Sequence, residues 1–120
     1  MALNHKRKKF KLKNSSSNIR VVKKKFPKDI HGEAIDGNTV AVSKDLDPNS
    51  KFYKEVVAHE KHHAKELKTG KIAYGDDWVR DNGKTYPRKD GEIKYNGKWY
   101  HEGHKSLPWE KRAENAEKNV

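Results

Sequence analysis

Residues 55–70 read EVVAHEKHHAKELKTG, and they decide the fold, being either one amphipathic helix with a metal motif or a solvated His-rich segment. Within them HEKHH fits the pattern His-Glu-x-x-His, with His59 and His63 as the outer pair. Seven His and nine Glu scattered at random over 120 residues give only about 0.03 such matches. The punctuation is that of a helix: Asp47 or Ser50 as N-cap, Pro48 suited to a first turn, and Gly70 just past the last periodic residue. At 3.6 residues per turn, Phe52, Val56, His59, His63 and Leu67 share one stripe. Both histidines are therefore expected on the buried face, with Glu60 beside them.

Outward from this helix the pattern turns to strands. Residues 19–26, IRVVKKKF, have the β-branched content of a strand that Pro27 ends. Residues 33–35 and 39–43 flank Asp36-Gly37-Asn38, whose members tolerate positive φ, so a hairpin is expected to lead into the helix. After Gly70, DWVRDNGKTYPR turns at Asn82-Gly83 and EIKYNGKWY at Asn96-Gly97, which predicts two β-hairpins. SLPWEKRAENAEKNV reads as a short helix, with Ser106 or Leu107 at its cap, Pro108 in its first turn, and Ala113 and Ala116 within. Trp78, Tyr86, Tyr95, Trp99 and Tyr100 alternate along the hairpins, where cross-strand packing accounts for them without base stacking.

Composition sets the bounds. Of 120 residues, 32% are apolar and 38% charged, which describes one domain whose small core needs further support. The absence of cysteine removes disulfides and thiolate ligands together, leaving His, Asp and Glu to hold any metal. The net charge of +11 is concentrated at the front: residues 1–13 carry six Lys or Arg and no acid, and residues 19–26 add four more. Residues 1–18 are accordingly expected to be a basic disordered tail preceding a domain over 19–120. A nucleic acid or a virion component is the partner that such a tail suits. With neither an apolar signal core nor a membrane-spanning run, the expectation is no membrane partner and a cytoplasmic or virion-associated protein.

The helix motif carries the chemistry. Imidazoles at i and i+4 lie one turn apart on one side, as two bonds of about 2.0–2.1 Å to one tetrahedral zinc require. Glu60, following the first His, stands next to that metal and can take a proton from zinc-bound water, whose pKa the metal lowers to about 7. The plainer alternative is a surface helix using His, Glu and Lys for solubility and ion pairing. His62 falls one residue off the metal face and reads as a part-exposed histidine. A third protein ligand must come from elsewhere. The metzincin continuation is absent, because Glu66 and Thr69 stand where its Gly and third His belong.

VVAHEKHHAKEL followed by PWEKRAENA resembles the small gluzincin-type zinc metallopeptidases, over roughly residues 33–117. In that family a strand precedes the HExxH helix and a Glu on a later helix completes the zinc site. The chain is also similar to small uncharacterised phage and prophage proteins with HExxH, hairpins rich in Tyr and Gly, and LPWE. The resemblance implies an α+β, zincin-like minimal domain. It further implies Zn2+ held by His59, His63 and Glu110, Glu60 as general base, and residues 39–43 as the edge strand that pairs with an extended peptide or protein substrate. His101 and His104, in WYHEGHKSLPWE, stay open as alternative third ligands. The expected activity is zinc-dependent peptide-bond hydrolysis. Its rival is a basic nucleic-acid-associated or phage virion structural protein in which zinc only staples the fold.

Overall fold

Ser50 starts the long helix and Gly70 ends it. Ser50 is extended, at φ −81° and ψ 154°, and its Oγ accepts a hydrogen bond from Tyr53 N at 3.0 Å, satisfying a first-turn amide. Gly70 takes φ +82°, and its N–H donates to Leu67 O, closing the helix through a left-handed residue. The computed structural model, which describes residues 18–120, places α1 at Lys51–Thr69 between them, so Pro48 lies ahead of the helix and not in its first turn. Val56, Glu60, His63, Ala64 and Glu66 are its buried residues. Phe52 departs from the expected stripe: it is 46% exposed, with the His31 ring edge-on at 5.0 Å.

One face of α1 lies on a three-stranded sheet of β1 (Arg20–Lys24), β2 (Gly32–Asp36) and β3 (Thr39–Ser43), in the order β1-β3-β2. β2 and β3 are the expected hairpin, antiparallel, with a register shift between Ala34 and Asp36. β1 runs parallel to β3, Arg20 opposite Thr39 and Lys24 opposite Ser43. Residues 39–43 are therefore the interior strand and not the expected edge strand, because β1 takes up the side that β2 leaves open. Val40, Ala41 and Val42 are accordingly fully buried, an unbroken apolar run typical of a strand paired on both sides. Gly32 lets this sheet close on the helix: a Cβ there would lie 2.9 Å from Val56 Cγ1 and 3.0 Å from Glu60 Cγ. Any side chain at that position would push β2 off α1.

After α1, β4 (Ile72–Tyr74), β5 (Trp78–Asp81), β6 (Lys84–Lys89), β7 (Glu92–Tyr95) and β8 (Lys98–His101) form an antiparallel meander in chain order. The two expected hairpins are thus parts of one five-stranded sheet. Asp90-Gly91 joins them as a third turn beside Asn82-Gly83 and Asn96-Gly97, all three with positive φ at both residues, the signature of type I′. Pro87 fits inside β6 because the ladder to β7 ends at Arg88, so no partner there calls for an amide proton. Tyr86, Tyr95 and Tyr100 pack inward on a core of Ile72, Val79, Ile93, Leu107 and Trp109.

Leu107 and Trp109 bring in α2 (Pro108–Glu117), which packs against α1. Leu107 precedes the helix without a side-chain cap bond and is instead fully buried, an apolar anchor in place of a cap. The architecture is α+β. Among the described residues no helix is long and apolar enough to cross a membrane. The expected basic tail, apart from Asn18, lies outside the described residues.

Candidate metal centre

α1 presents His59 and His63 toward α2, which returns Glu110. His59 Nε2 is 2.9 Å from Glu110 Oε1, and His63 Nε2 is 3.1 Å from Glu110 Oε2, so a single carboxylate faces two imidazoles. The rings stand nearly perpendicular, 78° apart, with centroids separated by 4.9 Å. One donor atom from each of the three residues lies within 4.8 Å of the other two. A tetrahedral site with bonds of about 2.0–2.1 Å sets its donors about 3.4 Å apart, so only a small rearrangement of the three side chains is needed.

His63 supplies the test of fit. Its Nε2 is near Glu110 but out of line for a hydrogen bond, and both ring nitrogens are buried with no hydrogen-bond partner among the described residues. Buried polar atoms are nearly always satisfied, and a cation on the Nε2 lone pair would satisfy the nitrogen that faces Glu110. Two imidazole nitrogens and a carboxylate oxygen, with no thiolate, form a donor set for a borderline divalent ion. His59, His63 and Glu110 can hold a metal ion. His101 and His104 do not join them: His101 Nδ1 donates to Glu102 O at 2.8 Å, and His104 Nδ1 accepts from Ser106 N at 3.0 Å.

A further carboxylate touches the site from α2. Glu117 Oε2 is 2.5 Å from His59 Nδ1. An acceptor there holds the Nδ1 proton and leaves the Nε2 lone pair free for a metal. Sequence reasoning missed Glu117, although it follows Glu110 by two helical turns and so shares its face.

The electrostatics follow from this crowding. Burial by itself lowers the pKa of His59, but the hydrogen bond to Glu110, the charges of Glu60 and Glu110 and the hydrogen bond to Glu117 prevail and raise it to about 9. Burial raises that of Glu110, yet His59 and His63 hold it down at about 2. Without metal, His59 and Glu110 are therefore an imidazolium and a carboxylate. Glu60 is 9% exposed, and its pKa is raised first by burial, then by the charges of Glu110 and Glu33, against the opposing pull of His63 and His59.

Arg112 fixes how the two helices meet. Its guanidinium donates to Glu66 Oε2 at 2.7 Å and Oε1 at 2.8 Å, and to Asp81 Oδ1 at 2.6 Å, joining α2 to α1 and to β5. Glu66 and Asp81 are both buried. His62, off the metal face and part-exposed, bonds Glu66 at 2.9 Å and takes no part in the triad. Compared with known protein families, curated proteins and solved structures, the chain matches none.

Proposed function

We propose that the chain is a zincin-like, zinc-dependent hydrolase of peptide bonds, of the gluzincin type, with His59, His63 and Glu110 as the zinc ligands and Glu60 as the general base. The observation that supports this most is the meeting of two imidazoles one turn apart on α1 with a carboxylate from α2, while Glu60 stands buried beside them. Bound zinc supplies Lewis acidity, which acidifies water and polarises a scissile carbonyl. Glu60 accepts the water proton and returns it to the leaving amine. Burial suits it to that exchange, because a desolvated carboxylate holds a proton more readily than an exposed one.

Substrate placement follows from β2, which takes the edge role that the resemblance gave to residues 39–43. Ser43 N donates to His31 O at 2.8 Å, so by alternation His31 and Glu33 direct their backbone groups at β3, and Gly32 and Ala34 direct theirs away from the sheet. An extended peptide added along that edge runs past Glu60, against which Gly32 is packed. Replacing Glu60 by Gln keeps the shape and removes the base. The zinc-loaded variant is expected to retain its metal while hydrolysis of casein falls by about 10²-fold or more. Undiminished hydrolysis would remove Glu60 from the mechanism, and a parent protein inert toward every unfolded substrate would remove the hydrolase reading.

A further inference from the structure

The meander has a second face, and two tryptophans that the core does not use, Trp78 and Trp99, lie on it. Trp78 is opposite Pro87, and Lys94 is opposite Trp99. Arg88 is opposite Ile93, so Pro87 and Lys94, one step further along, fall in line. Each of these four residues is the chain neighbour of an inward-packed one, namely Val79, Tyr86, Ile93 or Tyr100. Side chains alternate along a strand, so Trp78, Pro87, Lys94 and Trp99 form one row across the outer face of β5 to β8. With strands about 4.8 Å apart, the two indoles stand about 14 Å apart at the ends of the row.

Each flank of the row carries a cation. Arg80 and Lys89, each two residues along its strand from a member of the row, share the outer face. Arg80 lies over the Trp78 ring, 5.1 Å from its centroid. Trp99 is 43% exposed. Among the described residues none of Arg80, Lys89 and Lys94 is held in an ion pair. Glu92, opposite Lys89, is an acid on the same face.

We propose that this face binds single-stranded nucleic acid, with a base stacking on Trp99 and phosphates meeting Lys94, Arg80 and Lys89, while Trp78, half-buried against Gly75 and under Arg80, closes the far end of the row. An exposed indole beside cations free of ion pairs matches a strand that offers a base and a phosphate at every step. A duplex keeps its base faces covered and gives the Trp99 indole nothing to stack on. The chain's own basic front, residues 1–13, has the same sign of charge as Arg80, Lys89 and Lys94 and so is not their electrostatic complement. None of this depends on the hydrolase reading.

The test uses the full chain, zinc-loaded, and a fluorescently labelled oligothymidylate of about 12 nucleotides, long enough for one sheet platform. Binding is expected to quench the intrinsic tryptophan fluorescence. Trp99→Ala should weaken binding by roughly ten-fold or more, Trp99→Phe should restore most of it, and both should keep the parent's melting temperature. Lys94→Glu should weaken binding and flatten its salt dependence by about one charge or more. Should Trp99→Ala fail to fold, the exposed Lys94 carries the test alone. The proposal is overturned if the oligonucleotide does not bind, if both Trp99→Ala and Lys94→Glu bind it as the parent does, as attachment through residues 1–13 alone would give, or if a duplex of equal length binds more tightly.

Discussion

His59 Nδ1 and Glu117 Oε2 are 2.5 Å apart, so the histidine is oriented by a carboxylate two turns beyond the one that its other nitrogen faces. Glu117→Ala should therefore lower zinc affinity by about 10- to 100-fold while leaving the stoichiometry near one. Competition against a calibrated chelator measures this. Parental affinity in the variant would mean that the contact does nothing for the metal.

The ligand set makes a sharper claim. His63→Ala and Glu110→Ala each remove a donor and should leave purified protein with little zinc by elemental analysis, whereas His101→Ala and His104→Ala should retain about one ion per chain. Zinc retained by Glu110→Ala and lost by either loop histidine variant would transfer the third ligand to the loop.

Acidity should act on the metal-free and loaded proteins differently. His59 is raised from its ordinary 6.5 to about 9, so its contribution to stability is complete below 6.5 and disappears as the pH climbs to about 9. Glu110 is lowered from 4.5 to about 2, so its contribution is complete above 4.5 and disappears as the pH falls to about 2. These are two ends of one ion pair. The metal-free melting temperature should be level between those ordinary values and decline on either side. Zinc competes with the His59 proton, so its affinity should rise by about ten-fold per pH unit up to the alkaline limit. An affinity flat with pH would argue against His59 as a ligand.

Arg112→Ala strands the buried Asp81 and leaves the buried Glu66 with His62 as its remaining partner, and should destabilise the chain by about 3–5 kcal/mol, the scale for breaking a buried pair. Glu102→Ala, which leaves Arg88 part-exposed to water, should cost less than about 1 kcal/mol. Denaturant titration of the two variants checks the contrast, and equal losses would show that burial is not what distinguishes them.

Local signals in the sequence were readable where a structure is made locally. Ser50, Gly70 and the 3.6-residue stripe delimit α1, and Asn82-Gly83 and Asn96-Gly97 mark their turns with φ that few other residues accept. Asp90-Gly91 carried the same signal, and passing over it divided one sheet into two hairpins. β4 has only three residues and no period to display. The interior position of β3 depends on β1, whose parallel pairing spans 19 residues of sequence between Arg20 and Thr39 and leaves no turn motif behind. Arg112 meets Glu66 and Asp81 across 46 and 31 residues, distances over which composition and periodicity carry no information.

β1 also guards against self-association. This edge strand carries Arg20 and Lys23, exposed cationic side chains on the kind of strand where an unpaired backbone would otherwise recruit another molecule. Peel it away and TVAVS, uncharged and β-branched, becomes a naked edge able to template ordered aggregates. Replacing Val22, the β1 residue opposite Ala41, by proline should therefore produce turbidity and thioflavin-positive material before global melting, whereas the same change at Lys25, beyond the ladder, should leave the protein clear.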